Sequence, residues 1–562
     1  MQSEQILVLD NRINVSDKQV TAVQVSGVQV TNIDTTNAEG GNGSFTSSII
    51  FNNITTPSIN STIVSRRARI KYTVTVGATA DVPVLNPVVP LAGVGPAAAL
   101  RAFPLQSVCS NISVILNGST TNLDQRSVIS ATQRRIPKDY LKRQATECPC
   151  MADNATCLVV DTLATALTGN QPLSCYYNSD GTTRGSFIPN AFNVPVNHTA
   201  TYSVSEPLLI SPFSIFEKET GLALVNTLSI QFNYQYLTDM VSWGNAVAVP
   251  AGLTVTISDP KLELEYIQVS QDVKIPPMVS YPYENLVVFN KVQTAFNCNA
   301  VAAQTMASDT LRFSAMPDLL YIFARPQITS RTGAPGGTPA MRGQADSFMA
   351  LSNPPAISIT LGNRSGLLAS ASQQTLYEIS CRNGYNSSFN DWAYQSGSLI
   401  IISPTLDLGL NLNAGDLAVG QNGSVNFQIS ASFSNVNYVN NWTAVSGAAI
   451  NYILTPELVI IPVFQGRATL SPSNCVFSIA DLSESELRHL LRTADEESGT
   501  KVSSESLKPS IQGGSLFGSM KRILSKVAEG AHMVGNHPLT QKLAGMGGDS
   551  GGLLSGGKLR RR

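Results

Sequence analysis

The sequence predicts an all-β chain made of two consecutive copies of one antiparallel sandwich, and three observations carry that prediction. Ala356 to Pro404 (AISITLGNRSGLLASASQQTLYEISCRNGYN…GSLIIISP) has a degraded counterpart in SNISVILNGSTTNLDQRSVISATQRR, from Ser110 to Arg135, followed later by EPLLISPFS. Each copy holds an apolar strand, an Asn/Gly/Ser turn, a stretch of helical period and a strand that ends Ile-Ser-Pro. The echo then continues in order, with Asn226 to Tyr236 matching Ser424 to Asn435 and Ile257 to Val269 matching Leu454 to Gly466. Finally, short apolar strands alternate with Pro- and Gly-rich joints throughout, as in stacked antiparallel sheets. The unit is far longer than a solenoid repeat. The first copy holds the longer stretch between turn and Ile-Ser-Pro, so it carries an insertion, and insertions go to surface loops.

In chain order, residues 1–43 read as an extended arm rich in Asn, Ser and Thr, and the first domain as 44–270. Its strands are Ser47 to Asn52, Ala68 to Val76 with Ile70, Tyr72, Val74 and Val76 on one face, Ser110 to Leu116 and Thr201 to Ser205. Asp124 to Cys148 has helical character, and Pro137 splits it into two short helices. The insertion spans about 129–193. QDVKIPPMVSYPYENL reads as the joint between domains, with the linker proper at 271–280 and the second domain at 281–476. Strands there are Glu284 to Phe289, Thr310 to Ser314, Leu319 to Ala324 and Ile357 to Leu361, with a Gly/Pro-rich loop from Ile328 to Asp346. Residues 477–510 form a short helix and an acidic, Ser-rich linker, and 511–562 a basic tail.

The chain of 562 residues carries 13% charged residues, about half the usual share, which suits strands covered by neighbours in a packed assembly. The net charge of −1 hides a gradient: from Gly513 onward Lys and Arg outnumber Glu529 and Asp549 by about four to one. A basic end of this kind is where an anionic partner binds. The N-terminus lacks the pattern of an export signal and no apolar run is long enough to span a bilayer, so neither secretion nor membrane spanning is expected. The Asn-X-Ser/Thr triplets at Asn53, Asn117 and Asn363 then follow from composition and are not glycan acceptors.

Cys148, Cys150, Cys157 and Cys175 fall inside the insertion, and the remaining four cysteines are scattered. A zinc site, disulfides and unpaired thiols are the three readings. Cys-Pro-Cys is not the usual zinc spacing and no His lies between the cysteines, while disulfides require an oxidising surface such as that of a virion or cell. Four histidines, with no two-His metalloprotease spacing, no phosphate loop and no dinucleotide fingerprint, leave no catalytic residue, cofactor or metal expected. Gly548-Asp549-Ser550-Gly551-Gly552 spells the nucleophile segment of trypsin-like proteases. Near the chain end and among glycines, it has no frame to position a His, an Asp and an oxyanion hole.

The paired domains, the strand-turn-helix-strand cassette, SEPLLISPFS, SPTLDLG and the run LTPELVIIPVFQGRATLSPSNCVFSIADLSESEL resemble the double jelly-roll major capsid proteins of the adenovirus, polinton, adintovirus and virophage lineage. The resemblance covers roughly Ser44 to Leu487. It implies two eight-stranded jelly rolls standing perpendicular to a capsid surface, and three chains in a pseudo-hexagonal capsomer that tiles an icosahedral shell. It also implies the absence of catalysis, neighbouring capsomers and penton or minor capsid proteins as partners, and towers at about 129–193 and 328–346. Localisation follows: the virion, after synthesis in the host cytoplasm or nucleus.

The tail adds a second set of sites. Ser515 to Val534 places Leu516, Met520, Ile523, Leu524, Val527, Ala531 and Val534 at helical spacing, with Arg522, Ser525, Lys526 and Glu529 opposite. Such a helix lies on a membrane surface or docks on the inner capsid face. Flanking segments resemble substrates of adenovirus-type cysteine proteases. They place cuts between Gly514 and Ser515, between Met546 and Gly547, and between Gly557 and Lys558, so a viral cysteine protease joins the expected partners. Lys521, Arg522, Lys526, Lys558, Arg560, Arg561 and Arg562 are the candidate contacts to genome phosphates or an internal membrane.

Three other functions compete. A surface adhesin or carbohydrate-binding protein should show an export signal or anchor. A glycoside hydrolase needs paired carboxylates beside aromatic platforms, and the chain has three Trp in all. A minor capsid or spike protein is the nearest rival, and the duplication argues against it, since pentons of the lineage are single jelly rolls.

Overall fold

The computed structural model describes residues 6–8, 22–24, 31–39, 44–45, 47–59, 61–77, 98–144, 148–150, 189–192, 199–214, 221–243, 254–269, 275–297, 300–313, 316–327, 348–362, 364–408, 425–436 and 453–479. Residues 1–312, 319–403 and 426–479 form one compact unit, which holds both sandwiches. A second unit, 313–318, 404–425 and 480–562, includes among its described residues the one-turn helix Pro404–Asp407.

The first sandwich contains β1 (Thr31–Asn37), β2 (Ser48–Thr55), β3 (Thr62–Gly77), β4 (Cys109–Leu116), β5 (Ser119–Leu123), β6 (Thr199–Pro207), β7 (Thr227–Tyr234) and β8 (Thr254–Gln268). Helices α1 (Gln125–Arg135) and α2 (Lys138–Gln144) lie between β5 and β6. Its two antiparallel sheets have the orders β6-β3-β8-β1 and β2-β7-β4-β5. The second sandwich contains β9 (Val279–Leu286), β10 (Ala303–Ala307), β11 (Leu319–Pro326), β12 (Ser358–Leu361), β13 (Arg364–Leu367), β14 (Ile400–Ile402), β15 (Val425–Ser434) and β16 (Pro456–Ser471). Helix α3 (Gln373–Arg382) lies between β13 and β14. Its sheets are ordered β14-β11-β16-β9 and β10-β15-β12-β13. Adding eight to each strand number of the first sandwich gives the second: one jelly-roll topology occurs twice.

The alternation of the sequence makes these strands. In β7, Leu228, Ile230, Phe232 and Tyr234 are buried while the residues between them are half-exposed. Across the β2/β7 pair, Phe51 and Phe232 meet edge to face at 6.4 Å. Asn117 and Gly118, both with positive φ, form the two-residue hairpin joining β4 to β5. Pro137 forces Ile136 into extended backbone, which ends α1 and starts α2 afresh.

Three boundaries differ from the sequence reading. The first barrel begins at Thr31 instead of residue 44: Thr-Asn-Ile-Asp-Thr-Thr-Asn has one apolar residue and no readable alternation, and pairing with Lys261–Ile267 makes it a strand. Tyr281-Pro282-Tyr283, read as part of the joint, lies inside β9. Among the described residues this strand pairs with β16 alone, at the edge of its sheet, where a Pro without an amide hydrogen is tolerated. The stretch assigned to an inserted loop from 129 starts inside α1, and Val128, Ile129, Ala131, Leu141, Cys148 and Cys150 are buried. Helical period and core membership are separate signals, and the sequence shows the first without the second.

Register fixes which ends of the strands face the same way. Thr62 pairs with Gln268 at one end of the first barrel and Gly77 with Thr254 at the other. In the second, Val279 pairs with Leu470 at one end and Pro326 with Pro456 at the other. The Tyr281 hydroxyl accepts the Ala223 amide at 2.6 Å, and neighbouring Leu222 bridges Val64 near the Thr62 end. Like ends therefore adjoin, and the chain leaves both β3 and β11 at the end opposite the linker.

Candidate assembly seam between the two jelly rolls

Helix α1 packs on β4 of its own barrel, and its Ser127, Arg134 and Arg135 meet Arg325, Ser396 and Tyr321 of the second barrel. Arg134 is buried. Its guanidinium donates to Ser130 O at 2.7 Å and, across the seam, to Ser396 O at 3.1 Å. It also lies 3.9 Å above the Phe348 ring, a desolvated cation–π contact, and Phe348 stacks on Phe323 with centroids 4.1 Å apart. Arg135 sits 5.3 Å from the Tyr321 ring and 3.8 Å from Glu284. The last carbonyls of α1, which no residue of the helix can satisfy, are met from the other barrel. Asn386 N donates to Arg134 O at 3.0 Å and Asn386 Nδ2 to Arg135 O at 3.2 Å.

Beneath α1 lies an ion pair. Arg325 Nε donates to Glu457 Oε1 at 2.8 Å, with the two side chains 1% and 2% exposed. Arg325 Nη1 donates to Ser127 O of α1 at 3.1 Å, and Asn290 Nδ2 to Glu457 Oε2 at 3.3 Å.

A second set of contacts joins the linker ends. Tyr283 and Thr121 share a hydroxyl hydrogen bond at 2.6 Å, and Glu284 N donates to Ser211 Oγ at 3.0 Å. Burial pushes the Tyr281 hydroxyl up to about 12, so it stays protonated. Strand β17 (Asn474–Ser478) folds back on β16 and closes the same region. Asn117 Nδ2 reaches Ser471 O at 2.8 Å, Ser119 Oγ donates to Cys475 O, and Phe477 lies against Tyr283 at 4.9 Å.

The titratable cluster inside the first barrel is structural. Glu206 is fully buried and accepts from Tyr72 Oη, from Leu105 N at 2.7 Å, from Gln106 N at 3.3 Å and from Gln106 Nε2 at 3.1 Å. Burial raises its carboxyl pKa. Burial likewise raises the nearby Cys148 and Cys109 thiols well above the usual range, and the Cys150 thiol to about 12. Thiols kept protonated and enclosed are poor nucleophiles. Among the described residues no three His, Cys, Asp or Glu side chains gather as metal ligands.

Of the residues singled out in the sequence, Cys148 and Cys150 are buried free thiols. Cys157 and Cys175 lie outside the described residues, and so does every tail site. Those are the three expected cuts, at Gly514 and Ser515, at Met546 and Gly547, and at Gly557 and Lys558, with the basic contacts Lys521, Arg522, Lys526, Arg560, Arg561 and Arg562. The seam residues Arg325, Glu457, Phe348 and Asn386 were missed. A signal existed for two of them: one Arg in the apolar run Leu319–Pro326, and one Glu heading the apolar run Pro456–Phe464. A lone charge within a strand buried on both faces must find its opposite.

Two barrels of one topology with like ends together define a double jelly-roll protein. Residues 2–271 match the first domain of the Sputnik virophage major capsid protein, and residues 289–466 match the major capsid protein V20 C-terminal domain. The chain belongs to the double jelly-roll major capsid proteins, in the group that holds those of the virophages. It is 25% identical over 490 residues to the capsid protein V20 of Sputnik virophage, covering 79% of this chain and 74% of that one. Among solved structures, the Sputnik virophage chain determined by cryo-EM is similar at TM-score 0.65 and 21% identity, covering 89% of this chain and 97% of its own. The mavirus major capsid protein is similar at TM-score 0.58 and 16% identity, with 85% and 95% covered. The protein is a structural component of the virion capsid, not an enzyme.

Proposed function

We propose that three copies of this chain form a pseudo-hexagonal capsomer and that these capsomers tile an icosahedral shell, meeting one another and penton or minor capsid proteins. The observation that carries the reading is the duplication itself. Two barrels of identical strand order with like ends adjoining make a chain of two near-equivalent wedges, and three such chains approach six-fold symmetry. The loops after β3 and β11 both leave at the end opposite the linker, which supports outward-facing loops and an inward-facing linker. Light scattering on purified protein, followed by cryo-EM of assembled particles, tests this. A homotrimer with hexagonal outline is expected, and a monomer at all concentrations overturns it.

The tail serves maturation in this proposal. Synthesised in the host cytoplasm or nucleus with the rest of the chain, it is cut by a viral cysteine protease after Gly514, and further cuts fall between Met546 and Gly547 and between Gly557 and Lys558. Its basic residues, among them Lys521, Arg522, Lys526, Lys558, Arg560, Arg561 and Arg562, hold the genome or an internal membrane. Intact-mass measurement on mature particles decides: a chain ending at Gly514 supports the cut, and one ending at Arg562 removes it.

A further inference from the structure

Where α1 ends against the second barrel, three side chains come together whose polar ends fall short of hydrogen-bonding one another. Tyr321 on β11 is fully buried, and among the described residues no protein group bonds its hydroxyl oxygen. Arg135 of α1 is half-buried, yet its Nε is enclosed and likewise meets no protein acceptor among them. Glu284 on β9 stands 3.8 Å from Arg135 Nη1, beyond hydrogen-bond length.

These groups share one neighbourhood. The Arg135 guanidinium lies 5.3 Å from the Tyr321 ring centroid. Burial pushes the Tyr321 hydroxyl well above its ordinary range, Arg135 opposes that shift and Glu284 adds to it, so both charges are felt at the oxygen and it stays protonated. Gly384, in the loop after α3, borders the same place. Its φ of +105° suits glycine, and a Cβ there would stand 3.6 Å from Arg135 Nε. Glycine thus keeps side-chain atoms away from the enclosed donor.

We infer that a water molecule is bound here as part of the seam, accepting from Arg135 Nε and Tyr321 Oη and donating to the Glu284 carboxylate. The chemistry selects water over an ion. Arg135 repels a cation, Glu284 repels an anion, and two donors facing one acceptor match a neutral molecule that has both functions. A buried water typically has about three partners, and a polar contact longer than about 3.5 Å is where such a water sits between groups. Each partner comes from a different element, α1, β11 and β9, so the water ties the first jelly roll to the second at the end of the helix. The site lies within one chain and is independent of how chains assemble.

Urea denaturation of the full chain with Tyr321→Phe is the first test, because the alternatives differ in sign. A buried hydroxyl with no partner is a cost that Phe removes, which would raise the midpoint, whereas a hydroxyl bound to water takes its bond with it, which lowers the midpoint. A lowered midpoint is expected. Glu284→Ala removes the acceptor, and its effect combined with Tyr321→Phe should be smaller than the sum of the two single effects, since one water serves both. A raised or unchanged midpoint for Tyr321→Phe, or strictly additive effects, overturns the site. Cryo-EM or crystallography at a resolution that shows ordered waters locates it directly. A density peak within hydrogen-bond distance of Arg135 Nε, Tyr321 Oη and Glu284 is expected, and a Tyr321 hydroxyl bonded straight to Glu284 or to another protein group overturns the inference.

Discussion

Arg325 and Glu457, 2.8 Å apart on adjacent strands of the second barrel, form an ion pair that water does not reach because a helix of the first barrel lies over it. Replacing either partner by Ala leaves an uncompensated buried charge, which costs about 3–5 kcal/mol. The double variant Arg325→Met with Glu457→Leu, which fills the space with apolar atoms, should recover most of that loss. Urea denaturation of the singles and the double checks it, and a double as unstable as the singles contradicts this account.

Asn386 is the second barrel's cap on α1. Asn386→Ala removes one of its two hydrogen bonds, Nδ2 to Arg135 O, and keeps the backbone one. The expected loss is about 1 kcal/mol, concentrated at the helix end. Hydrogen exchange should therefore rise at Arg134 to Ile136 more than in β4. A uniform rise over the barrel would instead mean that Asn386 acts on global stability.

Why some of this was legible in sequence and some not follows from the range of the forces. Strands such as β3 and β7 announce themselves because one face meets a core and the other does not, so burial is written as alternation. The duplication was legible for the same reason. Strands β11 and β16 lose that alternation, since α1 covers Tyr321 and Arg325 and Phe348 covers Phe323 on the outer face; their uniform apolar runs show burial without showing by what. The partners of Arg325 and Asn386 lie more than a hundred residues away, and no local pattern encodes them. Thr31–Asn37 is a strand by pairing alone.

The Glu206 carboxyl should make stability fall as pH rises. Burial raises its folded pKa above the ordinary value of about 4.3. Below that value both states hold the proton and the contribution is complete. As pH climbs, the unfolded chain releases its proton first, and the folded state loses ground until pH passes the raised value. Urea midpoints measured upward from pH 4 for wild type and Glu206→Gln should give a difference curve that moves against the wild type with pH. A flat difference, or one of opposite slope, would show that the four donors to the carboxylate outweigh its desolvation.

The insertion should be removable only from beyond Cys150. Deleting 146–190 takes away Cys148 and Cys150, both buried, with Pro149 O, which accepts the Phe103 amide at 2.7 Å, and Cys150 O, which accepts from Gln133 Nε2. Losing these leaves the Phe103 amide and the Gln133 side chain, both buried, without acceptors, and opens the space the two thiols fill. Each orphaned donor costs about 1–3 kcal/mol, so that variant should aggregate. Replacing 151–188 by a short Gly/Ser linker keeps all of them, and the second barrel, which closes the same strand order with a shorter connection between α3 and β14, shows that the topology does not require the longer one. Soluble yield and light scattering should therefore separate the two deletions. If both aggregate, the residues between Cys150 and Pro189 belong to the fold; if neither does, the Cys148 to Cys150 segment is dispensable despite its burial.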